Sequence, residues 1–384
     1  MNFFTRQTIA RGAAMNKILV LLPVLLAACV DAQPAPDVTE RSSDEFTIEV
    51  VSDQLARPWG VAVLPDGRYF VTEMEGTAQI IGDDGMVAVA GLPDDILVAG
   101  QGGLLGVLLA PDFSTSGVMF LSYTYGDLQA NGTAVYKARL NNSTLVDGDV
   151  IFKSTAKAGG AHNGGRMVML PDNTLVVSLG DGFRYREKAQ VLDNTLGKIV
   201  RLKTDGTAAP DNAFVNKKDA SPEIYTYGHR NVQGLAFDAP TGRLWAHEHG
   251  PRGGDELNVI KSGNNYGWPL ATTGVDYNGA SITPYQSYPG TEPPVYDWVP
   301  SIAPSGLAIY RGDLFKAWRG DALIGALANQ SLWRVDLDGD EVVGVERLLG
   351  DVGERIRDVK IDRDGAVLVL SEAGQSGRLI RLTP

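Results

Sequence analysis

From residue 46 onward, short apolar or alternating runs recur along the chain, bounded by polar turns such as Asp-Gly, Asn-Gly and Pro-Asp. This pattern is typical of β-strands joined by tight turns, and few stretches show a helical period. A unit of strand, polar turn and strand begins six times, at Trp59, Gly106, Gly165, Gln233, Ser305 and Arg357. The pattern therefore predicts an all-β chain made of six repeats.

The number and spacing of the repeats favour a six-bladed β-propeller of four-stranded antiparallel blades. Six units between residues 42 and 384 leave about 57 residues for each, enough for four strands and a long loop. In a propeller, loops at one end of the central channel bring together side chains from different blades. We therefore expect residues 44–384 to form one propeller domain, with its functional residues at the edges of the repeats.

The N-terminal segment has a different composition from the repeats. Lys17 is followed by ILVLLPVLLAAC, an apolar run of signal-peptide length that is too short for a typical membrane-spanning helix. Its end resembles the lipobox of bacterial lipoproteins, in which the cysteine is lipidated and becomes the first mature residue. We expect a lipoprotein-type signal peptide over 1–28 and a flexible tether over 29–43, with a lipid on Cys29 anchoring a periplasmic protein to the outer membrane. A plain secretory signal with an incidental cysteine is the alternative.

Charge and cysteine content restrict the partners and the chemistry. The formal net charge of -12 arises from 46 acidic and 34 basic residues, which argues against a nucleic-acid partner and against electrostatic docking on anionic lipid. Cys29 is the only cysteine, so the mature domain has no disulfide and no thiolate metal site. Contact with a membrane is expected only through the lipid anchor, and both a monomer and a homodimer are compatible with the sequence.

Residues 245–269, WAHEHGPRGGDELNVIKSGNNYGWP, concentrate histidines, carboxylates and glycines. Asp255, Glu256 and nearby backbone carbonyls offer the hard oxygen donors that Ca²⁺ prefers. Gly250, Gly253 and Gly254 permit the tight bends that aim carbonyls inward. The segment is interpreted as a shelf for a metal and a cofactor, and an acidic turn followed by a glycine-rich hairpin remains the alternative.

His162 and Asp181 form a candidate acid–base pair. His162 lies just before a predicted strand, and Asp181 lies nineteen residues later, after the partner strand. A hairpin of that length returns to its starting edge, so Asp181 can accept a hydrogen bond from the His162 ring and hold it as a general base. A solvated loop histidine with a turn-forming aspartate is equally compatible with the spacing.

Arginines form a second group of candidates, with Arg230 in YGHRNVQG and Arg355 and Arg357 in GERIRDV. The last two are spaced by two residues, so they face the same side of a strand. They form either ion pairs with acidic side chains or a clamp on a ligand that carries several carboxylates.

Eight motifs together resemble a known family. In order, they are GQGGLLGV, HNGGRMV, GDG, YGHRNVQGLAFD, EHGPRGGDELN, NYGWP, APSG and RIRDV. Their order and separations are similar to those of the soluble quinoprotein sugar dehydrogenases, the PQQ-dependent glucose dehydrogenase family, and EHGPRGGDE resembles the aldose sugar dehydrogenase branch. The resemblance implies a six-bladed propeller that holds pyrroloquinoline quinone (PQQ) and Ca²⁺ over its channel and oxidises aldose sugars to lactones for an external electron acceptor.

The resemblance also implies residue roles. His162 matches the base that removes the proton of the anomeric hydroxyl while hydride passes to the quinone, Asp181 matches its orienting partner, and Arg230 matches the arginine beside the quinone carbonyl. The positions that match cofactor contacts are Gln101, His162, Arg230, Asn231, Ser301, Arg355 and Arg357. Gly250 and Pro251 match the carbonyl ligands of the cofactor's Ca²⁺, and Glu256, Tyr266 and Asp276 match a second, structural Ca²⁺ site.

One position departs from the family pattern, because Ala328 stands where a lysine commonly contacts the quinone. Arg319 and Arg334 are the candidates to replace its charge. Two other functions remain open on the sequence: a Ca²⁺-dependent lactonase, and a non-catalytic propeller that binds Ca²⁺ or sugar. The histidine, aspartate and arginine set fits these alternatives less well than it fits a dehydrogenase.

Overall fold

The computed structural model describes residues 36–41 and 45–384. The predicted signal peptide and the Cys29 anchor lie outside the described residues. Within the described part, no helix is long and apolar enough to cross a membrane.

The regular structure is almost entirely β and forms six sheets, which are numbered here as blades 1 to 6 in the order of their first strands from Pro58. The strands are Pro58–Val63, Tyr69–Glu73, Thr77–Gly82 and Gly85–Ala88 in blade 1; Leu104–Leu109, Val118–Gly126, Asn131–Asn141 and Thr144–Lys153 in blade 2; Met167–Met169, Leu175–Ser178, Lys198–Leu202 and Ile224–Tyr227 in blade 3; Val232–Asp238, Arg243–Glu248, Asp255–Ile260 and Tyr296–Trp298 in blade 4; Pro304–Ile309, Ala322–Ala326, Ser331–Asp338 and Glu341–Leu348 in blade 5; and Arg355–Ile361, Val367–Ala373, Ser376–Thr383 and Thr47–Ala56 in blade 6. The short helices of the described residues are the α-helix Phe113–Ser116 and the 3₁₀ helices Arg186–Gln190 and Lys316–Trp318.

This arrangement confirms the predicted six-bladed propeller of four-stranded antiparallel blades, and each sequence repeat supplies the first two strands of one blade. The ring is closed by the N-terminal strand Thr47–Ala56, which completes blade 6 by pairing antiparallel with Ser376–Thr383. The two ends of the domain are therefore held by the same sheet, an arrangement that the local sequence pattern did not indicate.

Part of the predicted tether belongs to the fold. Val38–Glu40 forms a fifth strand on blade 5, parallel to Glu341–Leu348. Ion pairs flank the added strand, with Arg41 bonded to Glu346 at 2.7 Å and Glu40 bonded to Arg347 at 3.1 Å. The expectation of a flexible tether over 29–43 is wrong for these residues, because the outer strand of the blade offers unpaired backbone groups to a segment of compatible charge.

The hydrophobic core lies between blades. Blade 6 illustrates the pattern, since Val367 and Val369 pack toward blade 5 whereas Leu368 and Leu370 pack toward blade 1. Successive side chains point to opposite faces of a strand, so a strand covered on both faces is apolar throughout. Comparable clusters join every other pair of adjacent blades, which closes the ring.

A buried arginine ties blades together near the axis. Arg166 donates to the carbonyl of Gln233 at 2.8 Å, to the carboxylate of Asp358 at 2.7 Å and to the carbonyl of Arg357 at 2.8 Å. Its guanidinium also lies 3.9 Å from the ring centroid of Trp59. One side chain of blade 3 thus contacts blades 1, 4 and 6, and we call this set the axial cluster.

Candidate active site

A cavity of 580 Å³, here called the axial cavity, opens at one mouth of the channel. Residues from all six blades and their loops line it, and they include the predicted residues Gln101, Asn231, Arg355 and Arg357. Other lining residues are Arg57, Trp59, Met74, Gly100, Asn163, Gly164, Gln233, His249, Ala303, Leu327, Ala328, Glu372, Gly374 and Gln375. Side chains far apart in sequence are thus brought together, as expected for a propeller mouth.

The axial cavity carries an excess of positive charge. Arg355 and Arg357 face the same side of their strand, and both bond to Oε1 of Glu372, at 2.9 and 2.8 Å. Nε of Arg357 is buried and has no hydrogen-bond partner, and both amide atoms of Asn163 are also buried without one. Buried polar atoms without partners are uncommon in proteins, so their presence here indicates a site built for a polar ligand.

A third arginine, Arg57, lines the same cavity and bonds to Glu75 at 2.9 Å. Ala328 also lines the cavity, so the position at which the resemblance implies a lysine faces the same space as the Arg57 guanidinium. Arg319 and Arg334 do not line the axial cavity; Arg319 bonds to Asp313, and Arg334 bonds to Asp321 at 2.6 Å. The nearby cation is therefore Arg57, which the sequence analysis missed.

His162 and Asp181 form the predicted pair. Nδ1 of His162 lies 2.6 Å from Oδ1 of Asp181, and both side chains are buried. Oδ1 also accepts the backbone N–H of Phe183 at 2.7 Å, and Oδ2 accepts the indole N–H of Trp268 at 2.8 Å. Because these partners are all donors, a carboxylate suits this position, and it holds the imidazole with its proton on Nδ1.

The imidazole of His162 is neutral and can accept a proton at Nε2. Burial lowers the pKa of His162 below its ordinary value, the hydrogen bond to Asp181 opposes this, and the nearby Arg230 charge lowers it further. The imidazole is therefore neutral at neutral pH. With Nδ1 bonded to Asp181 and no hydrogen bond to Nε2 among the described residues, Nε2 carries the available lone pair.

Backbone geometry fixes the position of the imidazole. His162 has φ of 52°, in the left-handed region, and its backbone N–H donates to the side-chain oxygen of Gln101 at 2.8 Å. Phe183 also has a positive φ, of 67°. Such conformations cost energy for residues with a Cβ and concentrate at functional sites, so strain on both sides of Asp181 supports a functional role for this segment.

Arg230 lies between His162 and the glycine-rich loop of residues 249–254. Its guanidinium donates to the carbonyls of His249 at 3.1 Å and Gly250 at 2.6 Å, and to the hydroxyl of Tyr277 at 3.2 Å. Its backbone carbonyl accepts the N–H of Asp181 at 2.8 Å. The two predicted catalytic segments are thus hydrogen-bonded directly to each other.

A buried pair, His229 and Glu248, supports Arg230 from behind. Glu248 bonds to Nδ1 of His229 at 2.8 Å and accepts the backbone N–H of Arg230. The His229 ring stacks on Tyr266, with ring centroids 4.8 Å apart. This network fixes the backbone of Arg230, and neither His229 nor Glu248 was predicted from the sequence to have this role.

The predicted calcium carbonyls lie in a tight loop. A Cβ on Gly250 would come within 2.2 Å of the Gly254 carbonyl oxygen, so the loop requires glycine there. Asp255 holds the loop by accepting the N–H of Gly250 at 2.8 Å and the hydroxyl of Ser301 at 2.7 Å. Ser301 does not line the axial cavity, so it supports this loop from behind. Pro251 lines a neighbouring pocket that also contains Arg230.

The residues predicted for a second calcium site each have separate protein partners. Glu256 pairs across the sheet with Glu248 and Asp297, and burial together with Glu248 raises its pKa well above the ordinary value. The hydroxyl of Tyr266 donates to the carbonyl of Val259 at 2.8 Å, and Asp276 bonds to Arg186 at 3.3 Å. Within the described part of the chain, no group of three His, Cys, Asp or Glu side chains is arranged to hold a metal ion.

Besides Arg57, Trp268 and Tyr277 have contacts that were not predicted from the sequence: Trp268 bonds to Asp181, and Tyr277 bonds to Arg230. Trp268 lies in NYGWP, one of the eight motifs that carry the family resemblance, so the sequence did mark its segment as a candidate. For Tyr277, only the aromatic content of its segment was a signal. Arg57 directly precedes the first repeat and shares no motif with the other arginines.

Comparisons with known proteins agree with this site. Residues 55–381 match the family model described as Glucose / Sorbosone dehydrogenase. The chain is 41% identical over 346 residues to aldose sugar dehydrogenase YliI of Escherichia coli, covering 88% of this chain and 92% of the relative. The crystal structure of the soluble aldose sugar dehydrogenase of E. coli in the apo-form matches with a TM-score of 0.85 and 40% identity, over 88% of this chain and 99% of that one.

A more distant structure contains a cofactor. The PQQ-bound form of aldose sugar dehydrogenase from Streptomyces coelicolor matches with a TM-score of 0.72 and 27% identity, over 91% of this chain and 99% of that one. The relatives are named as dehydrogenases, which supports an oxidoreductase, and the resemblance seen in the sequence motifs is confirmed. The chain belongs to the glucose/sorbosone dehydrogenase family.

Proposed function

We propose that the protein is a PQQ-dependent dehydrogenase that oxidises the anomeric hydroxyl of aldose sugars to lactones. The observation that carries the proposal is that the His162–Asp181 pair lies beside the arginine-rich axial cavity. Gln101 joins the two, because it lines the cavity and accepts the backbone N–H of His162. A base and an anion-binding cavity are thus adjacent at one mouth.

The axial cavity fits PQQ in size and in charge. PQQ is a flat tricarboxylate, and the cavity has 580 Å³, within the usual range of ligand pockets of about 300–1,000 Å³. Three arginines face one glutamate there, and the free Nε of Arg357 and the amide of Asn163 offer unused hydrogen-bonding groups. Arg57, Arg355 and Arg357 would hold the carboxylates, with Gln101 and Asn231 at the rim.

The loop at Gly250 and Pro251 fits a calcium ion by its donor chemistry. Carbonyl oxygens are hard donors, and the Gly250 carbonyl already accepts a cationic group, the guanidinium of Arg230. We propose that the two carbonyls hold Ca²⁺ beside the cofactor. Glu256, Tyr266 and Asp276 remain the proposed residues of a second ion.

The proposed roles follow from the contacts. PQQ, when bound, supplies the two-electron oxidant. Nε2 of His162 takes the proton of the anomeric hydroxyl, and Asp181 holds the ring and stabilises the imidazolium that forms. Arg230 places positive charge next to the cavity, where it stabilises negative charge that develops on oxygen. The chemistry requires no nucleophile and no thiol.

Reconstitution tests the proposal. The purified protein, treated with chelator and then supplied with PQQ and Ca²⁺, is expected to reduce a redox dye with glucose or xylose, whereas omission of PQQ abolishes reduction. Saturable PQQ binding without turnover of any aldose would leave a non-catalytic sugar-binding or Ca²⁺-binding propeller as the better reading.

Arg57 is expected to contribute to cofactor affinity in place of the missing lysine. Arg57→Gln should weaken PQQ binding by about fivefold, because it removes one charge-assisted contact at a partly exposed position. The measurement is titration of the apo-protein with PQQ, followed by fluorescence quenching. Arg319→Gln is the matched control, since Arg319 does not line the axial cavity, and equal affinities of the two variants would contradict the assignment.

We further propose a periplasmic location with a lipid on Cys29, as expected from the lipobox-like segment, and transfer of electrons to an external acceptor.

A further inference from the structure

A second pocket, of 310 Å³, is lined in part by Arg230. Its lining includes Phe183, Arg184, Trp268 and Tyr277, and none of these lines the axial cavity. Arg230 connects the two spaces, because it lines this pocket and donates to the carbonyl of His249, which lines the axial cavity. We call it the outer pocket.

One wall of the outer pocket is aromatic and leads to the base. The Phe183 ring meets the His162 ring edge-on at 5.1 Å, and it lies 6.2 Å from the Tyr277 ring. Phe183 is 48% exposed and Tyr277 is 57% exposed, so both offer free ring faces. The rings are too close together to enclose a sugar between them, so they form a continuous surface for the C–H face of one pyranose.

The position of Phe183 is imposed by its backbone. Its φ of 67° is a left-handed conformation, and its N–H is bonded to Asp181. Nearly half of Phe183 stays exposed, so burial alone does not account for an aromatic residue in this strained conformation. The strain therefore points to a ligand that uses the ring.

The charge of the outer pocket is positive although the protein is acidic. Arg186 is bonded to Asp276 at 3.3 Å and lies 3.6 Å from Glu187. Arg184 lines the same pocket, and its guanidinium makes no hydrogen bond or ion pair within the described part of the chain. An unpaired guanidinium beside a sugar-sized aromatic wall offers a contact to a carboxylate.

We propose that the outer pocket is the substrate subsite and that it favours aldoses with a carboxylate at the end remote from C1, that is, uronic acids, over neutral aldoses. The anomeric hydroxyl lies at His162, the ring packs on Phe183 and Tyr277, and the carboxylate contacts Arg184. This inference rests on the proposed function and adds to it the substrate class and the residue that selects it.

The test compares glucuronate with glucose in the reconstituted enzyme. The wild type is expected to have the lower KM for glucuronate, and Arg184→Gln should reduce the KM preference about fivefold while kcat for glucose stays within about twofold. Arg319→Gln is the matched control, since Arg319 is exposed and lines neither the outer pocket nor the axial cavity. An unchanged preference in Arg184→Gln, or no preference in the wild type, would overturn the inference.

A binding measurement separates this inference from the proposed function. Saturation-transfer NMR on the protein without PQQ should show glucuronate binding that is weaker in Arg184→Gln, and weaker for both sugars in Phe183→Leu. Loss of turnover in every sample, with this binding pattern intact, would reject the dehydrogenase while keeping the subsite. Turnover of neutral aldoses without any effect of either variant would reject the subsite while keeping the dehydrogenase.

Discussion

Replacing His162 with asparagine is expected to lower kcat by about a hundredfold to ten-thousandfold, the usual contribution of a positioned general base. The reason is that Nε2 of His162 is the free, neutral ring nitrogen, while Nδ1 is bonded to Asp181. The neighbouring Gln101 and Asn163 line the axial cavity. PQQ binding should change little, because the carboxylate-binding arginines are untouched. The measurements are steady-state dye reduction and PQQ titration on the same preparation.

The choice of asparagine protects the backbone. His162 has φ of 52°, and asparagine tolerates this left-handed conformation better than most residues, so folding should be preserved. His162→Gln serves as a second variant that keeps a longer polar side chain. Activity within a few-fold of the wild type in both variants, with normal PQQ binding, would remove His162 as the base.

The pH profile gives an independent readout of the same residue. Catalysis requires neutral imidazole, and burial lowers the pKa of His162 below 6.5, its ordinary value. Activity should therefore be retained as pH falls through 6.5 and be lost only as pH falls through the lowered pKa. In the His162 variants this acid limb should disappear from the residual activity. An acid limb at or above pH 6.5 in the wild type would contradict the burial argument.

The six-bladed architecture could be predicted from the sequence because the apolar pattern of each propeller strand indicates which of its faces are buried. Residues 367–370, VLVL, are all apolar since both faces of the strand are covered by neighbouring blades, and the polar turns between the strands recur in each repeat. The closing strand Thr47–Ala56 was not predicted, because its partner Ser376–Thr383 lies at the other end of the chain. A pairing between distant segments leaves no local pattern.

The same distinction between local and long-range contacts holds at the candidate active site. The contact between His162 and Asp181 was predicted because a single hairpin in blade 3 brings the two residues together. Arg355 and Arg357 were paired by their spacing on one strand. Arg57 reaches the same cavity from the junction between the closing strand Thr47–Ala56 and blade 1, and only closure of the ring reveals that it does.

Replacing Arg166 with methionine is expected to lower the free energy of unfolding by about 3–5 kcal/mol, the cost of leaving a buried charge without its partner. Asp358 is buried and would keep only neutral contacts such as the N–H of Val61 at 3.1 Å. Gln233 and Arg357 would each lose a donor to a buried carbonyl. The measurement is urea unfolding, in which the midpoint falls while the slope stays constant.

The size of this effect distinguishes a buried network from a surface ion pair. Arg139→Met is the matched control, because Arg139 is bonded to Asp147 at 2.5 Å but its side chain is 51% exposed, so a loss below about 1 kcal/mol is expected. Adding Asp358→Asn to Arg166→Met should restore part of the stability, since it removes the unpaired charge but keeps an acceptor. Equal losses in the Arg166 and Arg139 variants would show that the axial cluster does not hold the blades together.

Because Trp59, Gln233 and Arg357 also line the axial cavity, the Arg166 variant should bind PQQ more weakly even where it remains folded.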